Sequence, residues 1–527
     1  MSNTEGLASE PIVLAAHAVD PNKMKYLKGG AVGLMAVMFM AASGAAPITA
    51  MTGNVPIIVG YGNGLYAPGA YVVAAIVLMI YTVGYAAMSR HITSTGSFYG
   101  YISHGLGQGA GMVAGLLGTV AYIVFEGSII GIFASFARIT ISNFGGPLIP
   151  WIWIALFGIA VIAVMGYSNV EISGRFLGVA LITELSILFL LGFAVLFHGG
   201  GPQGMQLASL NPVKALTTAV PSGGGIVGST GIGLFFAFWS WVGYETVAVY
   251  GEESRDPKRI VPRALMILVG GIGAVYVFMS WAAIAGNGPT QAIALARSSD
   301  PFSLYFNITQ RFVGVWAKDI YEVLIITGSF ACALAFHNAA SRYMYALGRE
   351  APNKMIRRQL GATHDKYKSP HIASITQSVI TLAIIMGFFW LQHPTKTAPD
   401  VAYIYVYGLL AILGTMIILI LQVMMSAAVF SYFHVKKQHP ESANVLRTIL
   451  APIVGAVGMA YIVYLLFKNL NFAAGAAAGS PFFKAIPWMV LAVAVIGIVY
   501  AVVLAKRKPD LYAEMGRTAL VEAHERS

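Results

Sequence analysis

Apolar residues come in this chain as uninterrupted runs of about 20, the length an α-helix needs to cross the hydrocarbon core of a bilayer, with short polar segments between them. Neither the stripe of a surface helix nor the alternation of a half-buried strand describes these runs. Twelve are expected to be membrane spans: Gly30 to Pro56, Pro68 to Met88, Gly109 to Ala137, Trp151 to Tyr167, Phe176 to Phe197, Ile226 to Tyr250, Ala264 to Ala285, Tyr321 to Leu347, Ile372 to Leu391, Tyr405 to Phe430, Leu450 to Phe467 and Trp488 to Leu504. The pattern therefore predicts an all-α, polytopic membrane protein.

Two of the runs carry a flaw at mid-depth. Span one, GAVGLMAVMFMAASGAAPITAMTGNVP, is expected to break between Ser43 and Pro47, because Pro47 has no N–H, its ring clashes with the preceding turn, and Gly44 lets the backbone open. Span six is interrupted by FWSWVG, with Phe238, Trp239 and Trp241 crowded around Ser240 and followed by Gly243. Unpaired backbone at that depth is tolerated only where it lines a cavity or is buried in protein. The two flaws lie five spans apart, in corresponding places of two halves, which is the sequence pointer to a transporter built from inverted repeats. Substrate is then expected between the breaks.

Composition agrees with the pattern. Of 527 residues 57% are hydrophobic and 10% charged, against about 25% charged in soluble domains. The net charge of +11 could suggest nucleic acid, but the basic residues sit in short loops, and no nucleic-acid partner is expected. With an N-terminus inside, roughly three quarters of the 32 Lys and Arg fall in cytoplasmic segments, which orients both termini to the cytoplasm. No cleavable signal peptide is expected in the polar N-terminal stretch. The single cysteine, Cys332, lies in an apolar span, so no disulfide, metal site or cofactor is expected.

The stretch FFAFWSWVGYETVAVYGEESRDPKRIVPRA resembles the amino acid, polyamine and organocation permeases, with their aromatic broken helix, paired glutamates, proline and basic residues. Three further motifs are similar to that family: GSFYGYISHGLG from Gly96 to Gly107, the segment Asn169 to Arg175, and HNAASRYMYALGRE from His337 to Glu350. The resemblance implies a LeuT-like fold. It divides the chain into a cytoplasmic tail (1–28), a ten-helix core (29–435, repeats about 29–197 and 226–433), two peripheral spans (436–505) and a C-terminal tail (506–527).

Helix ends supply the expected chemistry. The free N–H groups beginning the second half of span one, at the positive end of its dipole, suit a carboxylate, and the carbonyls closing the first halves of spans one and six suit an ammonium. The expected substrate-binding set is Ser43, Gly44, Ala45, Ala46, Glu126, Phe238, Trp239, Ser240, Trp241 and Gly243. The family's usual glycine, serine, glycine is replaced by Gly44, Ala45, Ala46 and Pro47, which removes a hydroxyl and one backbone donor. Trp239 matches the family's gating aromatic, and its face also suits a cation.

Glu126 and Glu184 lie in apolar spans without a basic neighbour in sequence, and a charge at mid-bilayer costs about 2.5–3.5 kcal/mol. Glu126 either meets a substrate ammonium or is a neutral acid bonded to an adjacent helix. Glu184 falls where the resemblance implies a lysine in proton-linked relatives; it is expected to couple transport to protons, with sodium as the second option, unless it is simply a neutral acid bonded to span one or eight. His337 and Asn338 are a proton relay or helix-packing hydrogen bonders. Glu245 reads as structural or gating. Glu252 and Glu253, with Arg255, Lys258, Arg259 and Arg263, read as an ionic clasp between loops.

No cluster of nucleophile and base is present, which argues against an enzyme, and no long soluble output domain points to a sensor. The expected function is secondary active transport of an amino acid across the cytoplasmic membrane by alternating access, proton-coupled. A polyamine or simple amine permease, or an amino acid exchanger, is the alternative.

Overall fold

A computed structural model describes residues 27–168, 170–222, 228–395, 400–468, 477 and 479–516. Most of the expected N-terminal tail, the end of the C-terminal tail, Asn169 and the expected start of span six at Ile226 lie outside the described residues. Among the described residues there are helices and no strands. Eleven helices are long and apolar enough to cross a membrane, and a shorter apolar one, Trp151–Tyr167, completes twelve.

Most helices overrun their apolar windows. Span seven runs Pro257–Asn287 and span eight Val315–Arg349, because polar ends stay hydrogen-bonded as helix beyond the hydrocarbon depth that hydropathy detects. The motif after span two forms a helix of its own, Phe98–Leu106, and two short helices, Pro289–Ala296 and Ser303–Phe312, fill the connection from span seven to span eight.

The longest helices, span three (Gln108–Asn143) and span eight, pack along each other, and spans two and seven form a second close pair. Span six, Thr230–Tyr250, is wholly buried, whereas only 22% of the apolar window of span twelve, Pro481–Arg507, is covered by protein. Span six is thus the centre and span twelve the rim. Exposed Trp153, Phe157 and Val164 on span four and Ile496 and Val499 on span twelve make an outer surface suited to lipid rather than water.

Both expected breaks are present. The first half of span one, Leu34–Ala45, ends at Ala46, a non-glycine residue in the left-handed region with φ 45°, and Pro47 begins the second half, Pro47–Ile57. A proline fits there because the first helical N–H has no intrahelical partner. The break is therefore one residue wide, narrower than the expected Ser43 to Pro47. In span six the helix Thr230–Trp239 stops, and the chain turns through Gly243 at φ 116° into the tighter 3₁₀ coil Tyr244–Tyr250.

Candidate substrate site

The two breaks touch. A Cβ added to Gly44 would lie 3.3 Å from the Gly243 Cα, and one added to Gly243 only 2.4 Å from the Gly44 carbonyl carbon. Glycine at both positions lets one backbone lie on the other, and Gly243 must also be glycine for its φ. Beside this contact is a closed cavity of about 20 Å³, lined by Gly44, Ala45, Ala46, Thr49, Asn54, Trp239, Ser240, Cys332 and Tyr407, among others, all buried. That is room for little more than one water, so the structure is a closed form and a solute the size of an amino acid enters only when helices separate.

Of the expected set, Gly44, Ala45, Ala46, Trp239 and Ser240 line this cavity. Trp239 ends the first half of span six, with its ring centroid 4.7 Å from that of Tyr407. Ser43 turns away and donates to the Leu177 carbonyl of span five at 3.1 Å. Trp241 packs against Tyr71 and Tyr276, and its N–H donates to the Val269 carbonyl at 3.3 Å. Phe238 is buried in the apolar core and, like Gly243, is not among the lining residues.

The polar lining comes largely from residues that sequence reasoning passed over. Tyr407 donates to Asn54 Oδ1 at 2.7 Å, Asn54 donates to Ser240 Oγ at 2.9 Å, and Ser240 donates to the Phe236 carbonyl at 2.9 Å. This chain ties spans one, six and ten together across the cavity. Thr49 is buried with its hydroxyl unpartnered among the described residues. Thr49 and Asn54 are polar residues in an otherwise apolar run, a signal present in the sequence; Tyr407 carried none.

The helix ends are partly occupied by the protein itself. Tyr276 donates to the Ala45 carbonyl at 2.6 Å and the Cys332 thiol to the Gly44 carbonyl at 3.2 Å. At the start of the second half of span one, Pro47 has no N–H, and Ile48 N–H donates to Glu184 Oε2 at 3.4 Å. Gly328 of span eight makes room for this carboxyl group, since a Cβ there would lie 2.8 Å from Glu184 Cδ. Glu184 thus stands beside the cavity, on the positive end of the half-helix.

Glu126, His337 and Asn338 lie outside the lining. His337 Nδ1 is 3.1 Å from both Glu126 oxygens, its Nε2 is 2.8 Å from Ser374 Oγ, and Gln377 donates to Glu126 Oε2 at 2.5 Å. These contacts form a buried network joining spans three, eight and nine. Glu245 accepts from Gly243 N–H at 3.0 Å and from Tyr122 at 2.9 Å, capping the second half of span six and fastening it to span three.

At the end carrying the basic loops, the glutamate pair reaches span eight instead of the loop cations. Arg342 holds Glu253 through two bonds of 2.7 and 2.9 Å and lies 4.8 Å over the Tyr250 ring. Arg349 holds Glu252 at 2.7 and 3.2 Å. Burial, the largest single influence, works against the Glu252 charge, but the Arg349 guanidinium together with hydrogen bonds from Arg349 and Thr95 holds the carboxyl below its ordinary value. These bidentate bonds and the backbone pairing of Val32 with Glu253 and Arg255 fasten the start of span one, the end of span six and span eight to one another at that end.

Comparison with known proteins agrees. The family profile described as "Amino acid permease" matches residues 32–483. An uncharacterised transporter of Mycobacterium tuberculosis is 33% identical over 152 residues, 29% of this chain and 32% of that relative. Another, from Mycobacterium bovis, is 24% identical over 261 residues, 45% of this chain and 53% of the relative. The low-affinity putrescine importer PlaP of Escherichia coli is 23% identical over 396 residues, 70% of this chain and 77% of its own length. The chain thus covers less than two thirds of these mycobacterial relatives. With twelve apolar helices among the described residues, two of them broken against each other, and a family match over residues 32–483, the chain belongs to the amino acid permease family.

Proposed function

We propose that this protein is a secondary active permease that moves a small amino-bearing solute across the cytoplasmic membrane by alternating access, with both termini cytoplasmic and a LeuT-like arrangement of two inverted five-span repeats. The observation that carries the reading is the backbone contact of Gly44 with Gly243 beside a closed cavity under Trp239. Helix ends and an aromatic face meet there, and the cavity opens only by moving one broken helix from its neighbours.

Amino acid and amine substrates differ in whether a carboxylate must be held. Glu184 already accepts from Ile48 N–H and Pro47 supplies none, which takes up the donors a substrate carboxylate would use. That observation favours an amine, and the similarity to a putrescine importer points the same way. An amino acid remains the second reading, with Thr49, next in the first turn of the half-helix, as its anchor. Glu184 is the proposed coupling residue: protonation would release its hold on the half-helix, so that transport runs with protons, and a bound sodium ion is the lesser alternative.

Uptake into proteoliposomes of labelled amines and amino acids, with and without an inward pH gradient, tests both parts. Saturable uptake of one class identifies the substrate. Gradient stimulation in the parent that is lost in Glu184→Gln at matched reconstitution supports coupling; stimulation that persists in the variant removes Glu184 from that role.

A further inference from the structure

Spans two and seven carry, with no lining residue shared with the substrate cavity, a feature that solute transport does not explain. A cleft of about 460 Å³ at their charged end is lined by Ala86 and Arg90 of span two and by Lys258, Arg259, Arg263 and Met266 of span seven. A second cleft of about 510 Å³ shares Ala86, Arg90 and Met266 and extends to Asn444 and Arg447 at the start of span eleven. Five cationic side chains therefore surround two joined hollows. Among the described residues, Arg259 is paired with Asp256 at 3.5 Å, whereas Arg90, Lys258, Arg263 and Arg447 have no ion pair or side-chain hydrogen bond. Glu441, the acid lining the second cleft, is taken by His439 at 2.8 Å.

The same two helices hold a third hollow, of about 490 Å³ and apolar, lined by Ile76 and Met79 of span two and by Gly270, Val277, Phe278 and Trp281 of span seven. At a rise of about 1.5 Å per residue, Met79 lies roughly 16 Å along span two from Arg90, and Gly270 roughly 10 Å along span seven from Arg263. Half of a ~30 Å hydrocarbon core is about 15 Å, so one leaflet's acyl chain reaches from the arginines to the near end of the groove. Met266 and the half-exposed Ile267 keep the surface between them apolar.

We propose that this composite site binds an anionic phospholipid of the surrounding bilayer, its phosphate among Arg90, Arg263 and Arg447 and one acyl chain running along Ile267 into the groove between spans two and seven. Arginine suits phosphate because its planar donors meet two oxygens at once, and basic pockets between membrane helices are built for such headgroups. Orienting the chain in the membrane needs positive charge near this end, but not its concentration around two connected clefts in line with an apolar groove.

Delipidated full-length protein is titrated with phosphatidylglycerol and with phosphatidylcholine of the same chains, and bound lipid is counted by native mass spectrometry. Phosphatidylglycerol is expected to bind at least tenfold more tightly. The triple variant Arg90→Gln/Arg263→Gln/Arg447→Gln loses that preference, while Lys354→Gln/Arg358→Gln, which removes exposed charge elsewhere on the same face, keeps it. Glycerol phosphate competes only weakly if the acyl groove contributes. Equal binding of the two lipids, equal loss in both variants, or full displacement by glycerol phosphate overturns the proposal. Thermal unfolding of each variant in detergent separates lost binding from lost fold.

Discussion

Trp239 and Trp241 are two residues apart and do different work. Trp239 covers the cavity, so Trp239→Ala should weaken apparent substrate affinity by about 1–2 kcal/mol in addition to the stability lost with a buried ring that packs on Phe236 and Tyr407. Trp241 is locked between Tyr71 and Tyr276, and its truncation should lower stability by about 3–5 kcal/mol. Melting curves and uptake measured on both variants check the split; matched losses in both readouts would contradict it. Thr49→Val offers a cleaner test of the lining, because it removes a buried hydroxyl that has no partner among the described residues and keeps the shape. Stability should hold or rise. Uptake should fall roughly tenfold if the hydroxyl bonds the solute, since one hydrogen bond is worth about 1 kcal/mol and more when its partner is charged; unchanged uptake would leave Thr49 out of the site.

Among elements, the informative joint is the one between the second half of span six and span eight. Glu253→Gln would leave the buried Arg342 charge uncompensated, at a cost of about 3–5 kcal/mol to the closed form. Cys332, the single cysteine of the chain, lines the cavity and reports opening directly. Its reaction with a membrane-permeant maleimide should be slow in the parent, faster in Glu253→Gln, and slow again in Glu253→Gln/Arg342→Met, where neither charge remains. Equal rates in all three would show that this pair does not hold the end shut. The Glu252–Arg349 pair adds a pH sign: because the folded carboxyl lies below its ordinary value, its contribution is complete above about 4.3 and is lost as pH falls through the lower folded value. Stability of Arg349→Gln should accordingly fall less steeply with acid than that of the parent.

For the whole molecule, the proposed orientation rests on the charge pattern. Cysteines placed after Arg255 and after Lys354, with Cys332 replaced, should react with impermeant reagents only from the cytoplasmic side, and labelling from outside would invert the proposed topology. The class, the number of spans and the two breaks were legible in the sequence because each is a one-dimensional signal: run length, loop charge, and a proline or a crowded glycine turn inside an apolar run. Glu184 stood out for the same reason, as an acid where the bilayer tolerates few. Which polar group meets which was not legible. Glu126 and His337 lie 211 positions apart, Glu184 and Ile48 are 136 apart, and Tyr407 reaches Asn54 across 353; no local pattern encodes such pairings. Hydropathy and loop charge act on each segment alone, so they can be read along the chain. Trp239 was singled out over Trp241 by the family resemblance; the choice of Arg342 and Arg349 over the loop cations as partners, and of Glu184 as occupant of a helix end, came only from packing the helices, which decides which faces meet and hence which polar groups escape water together.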